Sequence, residues 1–201
     1  MKKVILSVAA VFAFGFANAQ ETATEGGFAQ GDLFISGAVG FGSDKTGDVK
    51  TNTFEIAPSI GYFVTSNIAV GGRLGYVSTK EEDGLETKTN TFSVEAFGRY
   101  YMTPDSKFSF FGELAVNYGT SKIEEENVFP LEDSEYKENG FGVQVAPGVS
   151  YFLNSNLAIE ASFGILGYNT VEPDVDGAES TDTFRFGLDM RDINFGIVYK
   201  F

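Results

Sequence analysis

Hydrophobic and polar positions alternate along most of this chain, most plainly over its last nine residues. Odd positions there read Ile193, Phe195, Ile197, Tyr199 and Phe201, and even positions read Asn194, Gly196, Val198 and Lys200. A period of two marks a β-strand with one aromatic face and one small or polar face. The strand runs to an aromatic final residue. Chain ends fray unless a sheet ties them down, and a closed barrel supplies that tie by pairing its last strand with its first. About 9–11 residues of tilted strand cross a hydrocarbon layer, so the pattern predicts a membrane barrel.

The same alternation recurs upstream. It predicts strands at about 32–42, 51–64, 68–78, 89–102, 108–121, 138–153 and 157–169, with an eighth from about 183 to the end. In the second, Phe54, Ile56, Pro58, Ile60 and Tyr62 share a face opposite Thr53, Glu55, Ala57, Ser59 and Gly61. In the fourth, Phe92, Val94, Ala96, Gly98 and Tyr100 oppose Ser93, Glu95, Phe97, Arg99 and Tyr101. The phase slips near Met190–Asp192: Phe184 and Phe186 are even, Ile193 onward odd, and a β-bulge there accounts for it.

Connections alternate between short (65–67, 103–107, 154–156) and long (43–50, 79–88, 122–137, 170–182). An even strand number with short turns on one side and long loops on the other is the pattern of outer-membrane barrels. Residues 55–67 also match residues 144–156, both carrying Ala-Pro and both ending Ser-Asn, which indicates duplication of a hairpin arm. Proline supplies no N–H to a ladder, so a bulge or a missing ladder bond is expected at Pro58 and Pro147.

Residues 1–19 read as a cleaved signal peptide: Lys2 and Lys3, an apolar run, then Ala17-Asn18-Ala19. Residues 20–31 are expected to be a flexible periplasmic lead-in, and 32–201 the barrel. Net charge is −14, and losing both leader lysines makes it −16. That balance opposes nucleic-acid binding, which needs a basic footprint. Absence of histidine and cysteine removes imidazole bases, thiolate ligands and disulfides, so no cofactor, metal or catalytic set is assigned and no enzyme is predicted. A mean hydropathy of −0.04 suits strands that are only half apolar.

A soluble lipocalin-like barrel would turn the apolar face inward. Its solvent face would then be rich in Lys, Glu and Thr, whereas the polar face of this chain is mostly Gly, Ala and Ser. That composition suits the narrow interior of an eight-stranded barrel. Tyr62, Tyr100, Tyr151 and Tyr199 lie on the apolar face near the short turns, as an interfacial girdle would.

With its leader, eight alternating strands and Tyr199-Lys200-Phe201 ending, the chain resembles small outer-membrane barrels of the OmpA/OmpX type. The resemblance implies an all-β, eight-stranded antiparallel up-and-down transmembrane barrel in the outer membrane, surrounded by its lipid and expected to be a monomer. It also implies that Phe195, Tyr199 and Phe201 form the signal read by the barrel-assembly machinery.

Inward charges are expected at Glu55, Arg73, Glu95, Arg99, Glu113, Glu160 and Asp192. Arg73, Glu95, Arg99 and Glu113 lie on three consecutive strands at similar heights. A buried charge needs a partner, so they are expected to form an ion-pair network plugging the lumen, with Glu160 approaching from the far wall. Such a network either fills a structural barrel or gates a narrow pore for small solutes or ions. The loops are acidic, and Asp174-Val-Asp176-Gly177 lacks the remaining spacing of a calcium loop. Solvated, self-repelling loops are expected there, with weak divalent-cation binding as the alternative and a surface ligand as a candidate partner.

Overall fold

The computed structural model describes residues 26–126, 134–175, 177–187 and 193–201. The predicted leader, Asp176 and the expected bulge near Met190–Asp192 lie outside them. The described strands are β1 (Leu33–Thr46), β2 (Val49–Phe63), β3 (Ile68–Asp83), β4 (Leu85–Tyr101), β5 (Phe108–Glu125), β6 (Ser134–Phe152), β7 (Leu157–Phe163), β8 (Leu166–Pro173), β9 (Thr181–Phe186) and β10 (Ile193–Lys200). They make eight barrel staves, because β7 and β8 lie end to end along β6, and β10 and β9 lie along β7 and β8. All pairings are antiparallel, β5 joins β6, and the barrel closes where Phe34–Gly37 of β1 meet Ile197–Lys200 of β10.

The apolar face points outward. Val39, Ile60, Leu74, Val94, Leu114 and Ile197 are exposed, while Phe34, Phe63, Phe97, Tyr101, Phe111 and Phe152 are buried inside. A lipocalin-like arrangement is thereby overturned. A soluble surface so apolar would cost far too much, whereas hydrocarbon solvates it.

Two of the expected long loops are strand instead. β1 and β2 pair up to Thr46 and Val49, and β3 and β4 pair up to Asp83 and Leu85. Gly47 (φ 64°) and Gly84 (φ 73°) reverse the chain in a left-handed conformation that favours glycine. Above the membrane these strands no longer alternate greasy with polar, so their pattern hid them, yet the ladders continue unbroken.

The two prolines behave differently. The β2–β3 ladder skips Ala57 and Pro58 without changing register, since Ile56 pairs with Tyr76 and Ser59 with Arg73. Opposite Pro147 the register does change. Val145 pairs with Leu166 and Gly148 with Ser162, so Ala146 and Pro147 face Phe163, Gly164 and Ile165. That is a bulge on the neighbouring stave, which divides β7 from β8 and turns Tyr168 outward.

The sequence repeat is also a structural repeat. Val64 N–H donates to Ile68 O (2.9 Å) and Leu153 N–H to Leu157 O (2.7 Å), closing the same turn twice. Asn67 Nδ2 then donates to Tyr101 O and Asn156 Nδ2 to Lys200 O, both at 2.9 Å. Each asparagine thus clasps the end of the adjacent strand.

The lead-in is not loose over its described part. Gly26, Gly27 and Phe28 are buried. Phe28 N–H donates to Pro104 O (2.6 Å), and Lys200 Nζ donates to Gly27 O (2.6 Å). Residues 26–28 are thus docked in the barrel mouth, whose aromatic lining offers Phe28 more than water does.

Candidate functional site

The lumen is built from even positions of β6, β7 and β10 and odd positions of β2 to β5. The β4–β5 ladder sets Arg99 directly opposite Glu113, and the β3–β4 ladder sets Arg73 opposite Glu95. Arg99 Nε donates to Glu113 Oε2 at 2.5 Å and its Nη1 to Glu160 Oε2 at 2.8 Å. One guanidinium therefore spans the barrel from β5 to β7. Arg73 Nη2 reaches Glu113 Oε2 at 3.2 Å, and its Nη1 pairs with Glu95. Tyr101 Oη donates to Glu160 Oε1 at 3.1 Å.

Burial of these charges is deep. Arg99 is 5% exposed and Glu113 and Glu160 are each 7% exposed. A lone charge at that depth costs several kcal/mol, and the alternating chain of cations and carboxylates offsets it. Arg99 also sits over the rings of Phe97 (4.9 Å) and Phe111 (4.7 Å), within cation–π range.

Below the charges lies an aromatic floor. Phe28 contacts Phe63 at 4.6 Å, Phe152 at 4.8 Å, Tyr101 at 5.3 Å and Phe34 at 5.5 Å between ring centroids. Above them is a cavity of about 240 Å³, reaching Ser36, Glu55, Ser93, Gln144, Ser162 and Asn194.

The network brings together Arg73, Glu95, Arg99, Glu113 and Glu160. Glu55 stands apart, lining the cavity and making no ion pair among the described residues. Asp192 lies outside the described residues. Phe195 (72% exposed) and Phe201 (53%) face outward, and Tyr199 packs edge-on against Phe201 at 5.1 Å. Phe201 N–H donates to Leu33 O (2.9 Å), which ties the terminus to β1. Sequence reasoning overlooked Phe28 and the part Tyr101 plays. Tyr101 has inward parity beside Arg99, which was a usable signal; Phe28 is one aromatic in a glycine-rich stretch, which was not.

Among the described residues, no group of three or more acidic side chains is placed to hold a metal ion. The arrangement suits electrostatic cross-bracing.

The family model described as "Outer membrane protein beta-barrel domain" matches residues 6–201. The chain belongs to that family. It is an outer-membrane protein. No curated protein matches the chain. Among solved structures it is similar to a major outer membrane protein of Thermus thermophilus, with 12% identity, 85% of this chain and 99% of that one covered, and TM-score 0.54. It is also similar to the outer membrane protein OprG of Pseudomonas aeruginosa, with 17% identity, coverage of 89% and 99%, and TM-score 0.52. At such identities the likeness is one of fold. The short turns and both ends of the barrel then face the periplasm, and the long hairpins face outward.

Proposed function

We propose that this barrel is a plugged, non-conducting component of the outer membrane, which reinforces the envelope and presents its acidic hairpins to the exterior. The observation that carries this reading is Arg99 bridging Glu113 and Glu160 across the lumen. A pore needs a continuous wet path, and this one meets a satisfied ion layer and then five packed rings. In this reading the protein is monomeric, the barrel-assembly machinery recognises Phe195, Tyr199 and Phe201, and no catalysis is involved. Any surface ligand meets the hairpin tips.

A second reading, a narrow gated pore, is favoured by the cavity of about 240 Å³ above the charges. Single-channel conductance of the refolded protein in a planar bilayer separates the two, comparing wild type with Arg99→Ala. A silent wild type supports the plugged barrel. Discrete wild-type conductance that the substitution alters supports the pore and overturns the first reading.

A further inference from the structure

The outward face above the membrane carries a repeated ladder. On the β1–β2 hairpin, Phe41 pairs with Phe54, Ser43 with Asn52 and Lys45 with Lys50. On β3–β4, Tyr76 pairs with Phe92, Ser78 with Asn90 and Lys80 with Lys88. On β5–β6, Tyr118 pairs with Phe141, Thr120 with Asn139 and Lys122 with Lys137. Six successive strands thus read aromatic, then small polar, then lysine, each step two residues further from the membrane. Those lysines are six of the ten in the chain. Their parity matches that of the exposed Val39, Ile60, Leu74, Val94, Leu114 and Tyr151, so all six stand on the lipid-facing side of the wall.

Like charges directly opposite on antiparallel strands, with Cβ atoms about 5 Å apart, destabilise the pair. Anions near the ammonium groups, from the chain or from outside it, offset that repulsion. Glutamates satisfy only part of the charge. Lys80 pairs with Glu82 (3.1 Å) and Glu86 (2.7 Å), and Lys122 pairs with Glu124 (2.7 Å) and Glu135 (2.8 Å). Lys45, Lys50, Lys88 and Lys137 are exposed and make no direct ion pair among the described residues, although Lys50 stands opposite Glu82 and Lys88 opposite Glu124 in the neighbouring ladders.

Height identifies the anion. Four residues of strand cover about 13 Å, or roughly 10 Å along the membrane normal at barrel tilt. The aromatic row marks the hydrocarbon boundary, so lysine stems that snorkel down its side meet the headgroup layer. We propose that the three lysine pairs form an arc of phosphate-binding sites for outer-leaflet lipid headgroups, with Lys45, Lys50, Lys88 and Lys137 supplying ammonium groups that no described carboxylate engages in a direct ion pair. The arc stops at the fourth hairpin. There Tyr168 and Phe184 continue the aromatic row, but Asp182 takes the next step and Glu172 stands at the height of a lysine.

The test uses the full chain refolded into phosphatidylcholine nanodiscs doped with diphosphoryl lipid A or with its dephosphorylated form. Native mass spectrometry then counts retained glycolipid. Wild type is expected to enrich the phosphorylated form, and the variant K45Q/K50Q/K88Q/K137Q to lose that enrichment by at least about tenfold. Arginine at the same four positions is expected to keep it, as is Lys107→Gln on the periplasmic side. The heat-dependent gel shift of the folded barrel checks folding, and single Lys88→Gln and Lys137→Gln variants serve if the quadruple one misfolds. Equal retention by wild type and glutamine variants overturns the proposal. So does equal retention of the two lipids, or displacement of lipid by millimolar inorganic phosphate, which would identify a site for free phosphate.

Discussion

Phe28 packs its ring 5.3 Å from that of Tyr101, although one precedes the first strand and the other ends β4. The contact joins the lead-in to the same tyrosine that donates to Glu160. Floor and ion layer therefore share a residue. Arg99 completes the link, with Nη1 donating to Tyr101 Oη at 3.2 Å.

Phe28→Ala tests whether the floor is docked independently of the wall. Removing a buried Phe costs about 3 kcal/mol, but the segment that carries it can undock, which limits the loss to the docking free energy. The expected result is loss of hydrogen-exchange protection at the Phe28 amide, which donates to Pro104 O. Protection in β4 and β5 should be unchanged. Faster exchange throughout the barrel would make Phe28 part of the global core.

Arg99→Met should destabilise the barrel strongly, by about 3 kcal/mol or more, because it leaves Glu113 and Glu160 buried without their shared cation. Arg99→Met combined with Glu160→Gln should recover part of that loss. Urea unfolding in detergent micelles measures both. A double variant no more stable than the single one would show that Glu160 is supported by Tyr101 alone.

The repeated asparagine clasps have unequal neighbours. Asn67 holds Tyr101, within the continuous β3–β4 hairpin, whereas Asn156 holds Lys200 on the closing strand. Each hydrogen bond contributes about 1 kcal/mol. Asn156→Ala is expected to speed amide exchange along residues 197–201 at the seam, and Asn67→Ala to leave that stretch alone. Equal effects on the seam would mean that the two turns are coupled through the wall.

Legibility in the sequence followed physical contrast. Where lipid lies on one side and a filled lumen on the other, alternation from Phe92 to Tyr100 or from Phe141 to Tyr151 reports side-chain direction directly. Arg99, Glu113 and Glu160 could be placed together because parity and distance from the short turns fixed their heights. Above the membrane both faces meet water, so Lys80-Glu81-Glu82 and Lys122-Ile123-Glu124 read as loop although they are ladder. The bulge at Gly164 and Ile165 was hidden as well, because Gly164 fits either face and one extra residue leaves no mark on composition. Phe28 was illegible for a third reason. Its burial depends on a mouth formed by strands far along the chain, and no local pattern encodes that.

The hairpin tips give a pH prediction with a defined sign. Hydrogen bonding to Lys80 holds the Glu82 carboxyl below its ordinary 4.5, and Lys122 does the same for Glu124. Reciprocally, hydrogen bonding to Glu86 raises the Lys80 ammonium above 10.5, and bonds to Glu124 and Glu135 push Lys122 up to about 12. A depressed carboxyl contributes stability that is complete above 4.5 and lost as pH falls through its lowered value. A raised ammonium contributes stability that is complete below 10.5 and lost as pH rises through its raised value. The tips should thus be best ordered between those limits and loosen at both extremes. These groups are exposed, so the effect is local and screened by salt. Amide exchange at residues 86–88 and 122–125, corrected for intrinsic rates, should quicken as pH drops from 6 toward 3 in low salt, and much less so in 1 M sodium chloride. Lys122→Gln should raise the midpoint of the Glu124 carboxyl in a carbon-detected NMR titration while leaving that of Glu82 in place, because Lys80 holds Glu82 on a separate hairpin. A Glu124 midpoint unmoved by the substitution would show that the ion pair at 2.7 Å does not persist in solution, and would leave backbone pairing alone to order the tips.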